Sequence, residues 1–343
     1  MVKPNYTVII PTLDAAKTIE RLLETLSKQS LPPEEILVVD SQSEDGTAEL
    51  ALAVPGVRVI QVKRGEFDHG GTRDMAIRST QSPFVVLLTQ DALPMDAHWA
   101  ANLLAPFEDG REAAVCGRQV AYPDARASEK AVRAFRYPAS SRVWDKSECS
   151  TLGMNAFLLS DACAAYRRDA YEAVGGFEHP IRTNEDMLMA AQLLEAGHRL
   201  AYSAEAKVWH SHCYTLRQEY RRNRLIGECL AQYGHRFQGA GELGEGVKLA
   251  RFVTHELIAC HNIGELPHFW MNCGARLFGN RVGRRCDRSD RRLKNGEYRQ
   301  VNEPIEILMA VYNGEAYLRE QLDSILNQSD DCGTGDSAGK AAG

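Results

Sequence analysis

No apolar run in these 343 residues approaches the ~20 that a membrane-spanning helix requires. Met1-Val2-Lys3-Pro4 leads straight into apolar sequence, without the basic, apolar and small-residue regions of a signal peptide. The nine cysteines are odd in number and include no C-x-x-C pair, so a reduced, cytosolic setting fits better than a disulfide framework. No G-x-G-x-x-G follows the first apolar run and no P-loop occurs, which weakens dehydrogenase and kinase readings.

What is present fits a globular protein with a substantial core: 44% hydrophobic and 25% charged residues, with a net charge of −6. The charge is uneven. Between Arg276 and Arg299 stand nine basic residues against three acids. Such a stretch suits an anionic membrane surface or a phosphate-bearing substrate, and it also suits a solvated linker. Nucleic acid is not the expected partner, because no interleaved aromatics or nucleic-acid motif accompany the stretch.

Over the first ~120 residues short apolar runs alternate with helical patterns. Tyr6–Ile10, Ile36–Val39, Val57–Ile60 and Phe84–Leu88 read as strands, and Ile19, Leu22, Leu23 and Leu26 mark a helix. Near-continuous apolar strands separated by helices predict an α/β fold with a mostly parallel sheet and helices on both faces. Ligands of such sheets sit beyond the carboxyl ends of the strands. The residues there are Pro11-Thr12-Leu13-Asp14, Asp40 to Thr47, Phe67 to Arg73, and Thr89-Gln90-Asp91.

Residues 120–155 read as a long polar region, after which Ala156–Leu159 resume the core. Helices are expected near Arg168–Val174 and over Glu185–Ala196, with strands at Arg199–Tyr202 and Lys207–Trp209. Beyond His212 the pattern is helical, giving a C-terminal helical extension over Leu216–Tyr233, Val247–Ile258 and Phe269–Phe278. Near the end, Ile307 to Gly314 repeats Val8 to Ala15, and the match runs on to Gln328-Ser329. The expected organisation is a first domain over 1–213, a helical extension over 214–294 and a linker over 295–304. The truncated start of a second, similar domain follows over 305–329, with a disordered tail over 330–343.

Asp91 closes a strand, Glu185 and Asp186 open a helix, and His210 closes another strand. Asp91 and His210 offer oxygen and nitrogen to one divalent ion, with a second carboxylate near to act as a base. Each residue also has a plain structural role open to it: Asp91 in a turn, Thr183 as a helix cap, Gly70-Gly71 in a tight turn. A zinc site at His210-Ser211-His212-Cys213 lacks a partner cluster.

The blocks Ile10 to Ala15, Val38 to Thr47, Glu66 to Arg73, Leu88 to Ala92, Gly175-Gly176-Phe177, Asn184-Glu185-Asp186 and Val208-Trp209-His210 resemble the inverting family 2 glycosyltransferases of GT-A fold. Within that family, Phe67–Arg73 and Thr89–Ala92 look most like bacterial rhamnosyltransferases. The resemblance covers roughly residues 5–290 and implies a GT-A nucleotide-sugar-binding domain. It puts Asp40 on the nucleobase beside Pro11 and Thr12, and Arg73 by the ribose and phosphates, and it counts Gly70, Gly71, Thr89 and Gln90 among the nucleotide-binding residues. Thr89-Gln90-Asp91 stands in place of the family's D-x-D, so Thr89 replaces the first aspartate and the ribose contact is in doubt.

A departing nucleoside diphosphate needs its developing charge neutralised, which a hard divalent cation does. Asp91 and His210 are the expected ligands, favouring Mn²⁺ slightly over Mg²⁺. Asp186 is the expected general base, with Glu185 as its neighbour. The expected reaction moves rhamnose from deoxythymidine diphosphate rhamnose to a cell-surface glycan or lipid-linked acceptor, in the cytoplasm or at the inner face of the membrane. A hexose from a uridine diphosphate sugar, or a non-catalytic nucleotide-sugar-binding subunit, are the alternatives. A nucleotidyltransferase would want a Gly-rich phosphate loop that is absent.

Overall fold

The structure, a computed structural model, describes residues 4–237 and 242–294. The expected linker, repeat and tail over 295–343 lie outside the described residues. The chain runs β1 (Tyr6–Thr12), α1 (Ile19–Ser27), β2 (Glu35–Asp40), α2 (Thr47–Leu52), β3 (Val57–Gln61), α3 (His69–Arg78) and β4 (Phe84–Leu88). Then come β5 (Leu93–Pro94), α4 (Trp99–Leu104), β6 (Glu112–Val120), α5 (Ala127–Arg136), β7 (Arg142–Trp144), α6 (Cys149–Leu152) and β8 (Cys163–Arg167). The rest is α7 (Arg168–Ala173), α8 (Glu185–Glu195), β9 (Arg199–Trp209), α9 (Leu216–Tyr233), α10 (Glu242–Ala259) and α11 (Leu266–Lys294).

One sheet holds these strands in the order β3-β2-β1-β4-β8-β6-β9-β5, with β7 also on β9. The first four strands are parallel, as their apolar runs require. Alternation along β1 sends Val8 and Ile10 to one face, against Ile19, Leu22 and Leu23 of α1 and Trp99 of α4. Ile9 goes to the other face, with Ile77 of α3 and Leu188 and Leu193 of α8.

Beyond β4 the sheet departs from the parallel pattern. β8 enters antiparallel between β4 and β6, pairing Cys163 with Leu88 and Ala164 with Cys116. The residues just before β8 therefore share an edge with the carboxyl ends of β1, β2 and β4. β6 and β9 run parallel to each other and end together at Val120 and Trp209. That edge collects every strand-end residue singled out above. The two short strands expected at Arg199–Tyr202 and Lys207–Trp209 are one continuous strand, and the polar region over 120–155 contains α5, β7 and α6.

Cys229 and Leu230 of α9 join the core cluster of α8, while Val253 and Leu257 of α10 and Phe269 of α11 pack with Ala131 of α5. Helices α9 and α11 touch backbone to backbone. A Cβ on Gly283 would stand 2.0 Å from the Arg224 carbonyl oxygen, and one on Gly227 2.3 Å from that of Asn280. Only glycine permits this approach.

Candidate active site

The loops after β1, β2 and β4 are tied together by side chains. Asp40 is fully buried. It accepts hydrogen bonds from the Thr12 hydroxyl at 3.0 Å, the Ser43 N–H at 2.9 Å and the Ser43 hydroxyl. Its carboxylate thus lies beneath the loop surface, whereas the sequence reading set it against a nucleobase. The Gln90 amide grips Leu13, accepting from its N–H at 2.7 Å and donating to its carbonyl at 3.0 Å. Asp14, held at φ 50°, accepts from the Glu44 N–H and from Arg64. Pro11 and the exposed Leu13 remain at the rim.

The next group forms around α3. Asp68 caps that helix by accepting from the Gly71 N–H, and its second oxygen accepts from the Ile181 N–H, both at 2.6 Å. A Cβ on Gly70 would lie 2.1 Å from the Glu178 carbonyl oxygen, so glycine there lets α3 meet the loop that leads into α8. The two glycines accordingly seat α3 against this loop.

Arg73 was expected beside ribose and phosphates, but it is buried among carboxyl groups. Its Nη1 donates to the His69 carbonyl at 2.9 Å and stands 3.3 Å from Glu185 Oε1; its Nε is 3.3 Å from Asp161 Oδ2. The Tyr166 hydroxyl donates to the other Asp161 oxygen at 2.6 Å. A buried guanidinium needs such partners to offset its desolvation. Burial would lower the Arg73 pKa, but the charges of Glu185, Asp161 and Asp186 raise it.

Three carboxyl groups thus face one cation, and their proton affinities respond. Burial pushes Asp161 up to about 7, against the pull of Arg73 and with help from Glu185. Burial, then the charges of Glu185 and Asp161, hold Asp186 well above the usual carboxylate range. The cluster titrates as a unit. Glu185 and Asp186 lie in the first turn of α8, where the macrodipole favours acids. The cap of that helix is Asn184 at φ 64°, one residue after the Thr183 considered from the sequence.

The third group surrounds Asp91. Its two oxygens lie 3.5 Å from His210 Nε2 and 3.6 Å from His212 Nδ1, and the three ligand atoms fall within 4.8 Å of one another. Burial opposes ionisation of Asp91, but His210, His212 and the Thr89 hydroxyl outweigh it and hold the carboxyl well below its usual range. Burial and then the neighbouring His210 bring His212 down to about 4, so it is a neutral imidazole at pH 7. One anionic oxygen and two imidazole nitrogens form a donor set suited to a borderline divalent ion such as Mn²⁺.

His212 is missing from the ligands expected from the sequence, where His210-Ser211-His212-Cys213 lacks a partner cluster; its signal is a second imidazole two residues after His210. Asp161 and Gln119 also carried no motif. Gln119 accepts from Arg133 and lies 2.8 Å from His210 Nδ1, and its amide donates to the Ser160 hydroxyl.

The profile described as Glycosyl transferase family 2 matches residues 7–175. The O-antigen chain rhamnosyltransferase RfbN of Salmonella typhimurium is 38% identical over 258 residues, which span 74% of this chain and 80% of that protein. The O-antigen chain rhamnosyltransferase WbaN of Salmonella anatum is 39% identical over 260 residues, with the same coverage. Among solved structures, the mannosyltransferase PcManGT from Pyrobaculum calidifontis, in complex with GDP-Man and Mn²⁺, aligns with a TM-score of 0.59 at 20% identity. That alignment covers 84% of this chain and 88% of that one. At such identity the likeness speaks for the fold alone. The sheet that gathers these strand ends is the GT-A fold, and with relatives matching over four-fifths of their length the chain belongs to the family 2 glycosyltransferases.

Proposed function

We propose that this glycosyltransferase moves rhamnose, with inversion, from deoxythymidine diphosphate rhamnose to a hydroxyl of an O-antigen-type glycan carried on a lipid. The names of the two Salmonella relatives support the sugar and the product class. The observation that carries the chemistry is the Asp91 carboxylate faced by two imidazoles at the sheet edge. Asp91, His210 and His212 would hold Mn²⁺ or Mg²⁺. Such an ion, when bound, neutralises charge developing on a departing diphosphate.

Asp186 takes the proton of the acceptor hydroxyl as its oxygen bonds to the anomeric carbon and the bond to the diphosphate breaks. A carboxylate with raised proton affinity is the stronger base. Glu185 is held by Arg73, which is held in turn by Asp161; this chain fixes the first turn of α8 and hence the base. Pro11, Thr12 and Asp40 shape the nucleotide end, and Gln90 keeps the Leu13 backbone in place beside it.

The proposed lipid carrier gives meaning to α11. Trp270, Met271, Leu277 and Phe278 are exposed along it, followed by exposed Arg281 and Arg285. This surface suits peripheral contact with an anionic membrane. Among the described residues, no helix is long and apolar enough to cross one.

A donor panel tests the reading. Thermal unfolding is followed with Mn²⁺ and deoxythymidine diphosphate rhamnose, uridine diphosphate glucose or guanosine diphosphate mannose. A cognate donor at 100 times its Kd should stabilise by about 2.7 kcal/mol. Stabilisation by a uridine or guanosine donor, and none by the deoxythymidine donor, would overturn the assignment.

A further inference from the structure

A cavity of about 200 Å³ lies between α5, the segment 212–215, α9 and α11. The strand order gives its position relative to the proposed donor. The nucleotide-end residues Thr12 and Asp40 close β1 and β2, Asp91 follows β4, and His210 closes β9 on the far side of β4. His212 faces Asp91 and also lines the cavity. The cavity therefore adjoins the Asp91 cluster on the side away from the nucleotide end.

Its lining is compensated in charge. Glu219 and Arg276 pair at 2.6 and 3.0 Å, Glu129 pairs with Arg133 at 2.8 Å, and Arg126 sits at the exposed rim. What remains is ring surface and neutral polar atoms. Tyr214 stacks on His212 with centroids 4.8 Å apart, and Phe269 is buried in the wall. The Asn272 amide lies 3.3 Å from His268 Nδ1 and donates to it, leaving the proton of the neutral imidazole on Nε2. Asn272 Oδ1 is buried without a hydrogen-bond partner. An unmet buried acceptor costs stability unless something supplies a donor.

We propose that this cavity is the acceptor subsite and takes one neutral pyranose ring of the acceptor glycan. The inference rests on the glycan-acceptor reading above. With the Asn272 side chain turned toward the cavity it lines, a sugar hydroxyl supplies the missing donor to Oδ1, and another accepts from His268 Nε2–H. The ring's C–H face packs against Phe269 and the Tyr214–His212 stack. A diphosphate would need several uncommitted cations in the wall; Arg276 is committed to Glu219, which leaves Arg126 at the exposed rim.

Saturation-transfer NMR on the full chain with Mg²⁺ and deoxythymidine diphosphate tests this, using the methyl α-glycosides of galactose, mannose, glucose and rhamnose. At least one should bind, with affinity reduced about tenfold or more in Asn272→Leu and in His268→Phe, as loss of a buried polar partner implies. The nucleotide's affinity, read by calorimetry, should hold within a few-fold. Should Asn272→Leu fail to fold, His268→Phe gives the same reading. Equal glycoside binding in the variants, displacement of the glycoside by inorganic diphosphate, or no glycoside binding to the unaltered protein would each overturn the subsite. Loss of nucleotide binding by the unaltered protein is a different failure: it sinks the donor reading, while the glycoside data still decide the cavity.

Discussion

Gln119 Oε1 lies 2.8 Å from His210 Nδ1 and also accepts from Arg133. Because a guanidinium only donates, the amide oxygen must be the atom at this junction, and His210 Nδ1 must carry a proton. Whenever the ring binds a metal, the free lone pair is therefore that of Nε2, the atom 3.5 Å from Asp91. Support of this kind would fix the tautomer of His210 as a ligand in the metal site proposed above. Replacing Gln119 with Met keeps length but removes the acceptor. Mn²⁺ affinity should fall about 10–100-fold, read by electron paramagnetic resonance of free Mn²⁺. Unchanged affinity in a folded Gln119→Met protein would remove His210 from the metal site.

Asp186→Asn is nearly isosteric and cannot accept a proton. Turnover should fall about 10²–10⁴-fold while donor affinity stays within a few-fold. Weak donor binding with normal turnover would move Asp186 from catalysis to positioning.

Asp161 links the proposed base to the pH dependence of the fold. Its proton affinity is raised from the ordinary 3.8 to about 7. A raised carboxyl contributes stability that is complete below the unfolded pKa and lost as pH rises through the folded one. Asp161 therefore contributes fully below about pH 4 and loses that contribution toward pH 7. Asp91, lowered instead, contributes above about pH 4 and loses its part only in stronger acid. The groups facing Asp161 are Arg73, Tyr166, Glu185 and Asp186. Melting temperatures should decline from roughly pH 5 to pH 8, and Asp161→Asn should flatten that decline. A slope identical in the variant would place the titration elsewhere.

Much of this architecture is legible in the chain, and the exceptions have physical causes. β1 to β4 announce themselves because strands covered on both faces must be apolar throughout. Helix α9 is bounded by Thr215, whose hydroxyl meets the Gln218 N–H in a capping box, and its ends match the sequence reading. β6 and β8, by contrast, each carry two alanines, a residue depleted in strands. Missing β8 also hides Asp161, because only antiparallel pairing with β4 brings it to the active edge. The carboxyl partners of Arg73 are hidden for a related reason: Asp161 and Glu185 are remote from it in sequence and meet it only in the fold.

The packing of α9 on α11 yields two substitutions of opposite sign. Gly283→Ala would drive a Cβ to 2.0 Å from the Arg224 carbonyl oxygen, whereas Gly274, on the exposed face of α11, has nothing within 4 Å. The first should cost about 1–3 kcal/mol through forced separation of the helices. The second should stabilise by about 1 kcal/mol, the helix preference of alanine over glycine. Urea midpoints read both. Two variants shifting in the same direction would contradict the backbone contact.

On α11, at 100° per residue, Trp270, Leu277, Phe278, Arg281 and Arg285 share about a third of the circumference. Apolar residues come first and arginines follow on the same face, each of them exposed. An interfacial helix has this composition: rings enter the headgroup boundary while guanidinium groups meet anionic lipid. The two contributions separate by experiment. Charge attraction at a surface is screened within about 8–10 Å at moderate salt, so binding that rests on the arginines should weaken steeply as salt rises. Cosedimentation with phosphatidylglycerol vesicles should therefore drop with salt, and drop further in an Arg281→Glu, Arg285→Glu double variant. Trp270→Ser with Phe278→Ser should lower what remains at high salt, where apolar insertion persists. Equal sedimentation with neutral and anionic vesicles would rule out the arginines as a lipid contact and leave this face of α11 without the proposed role.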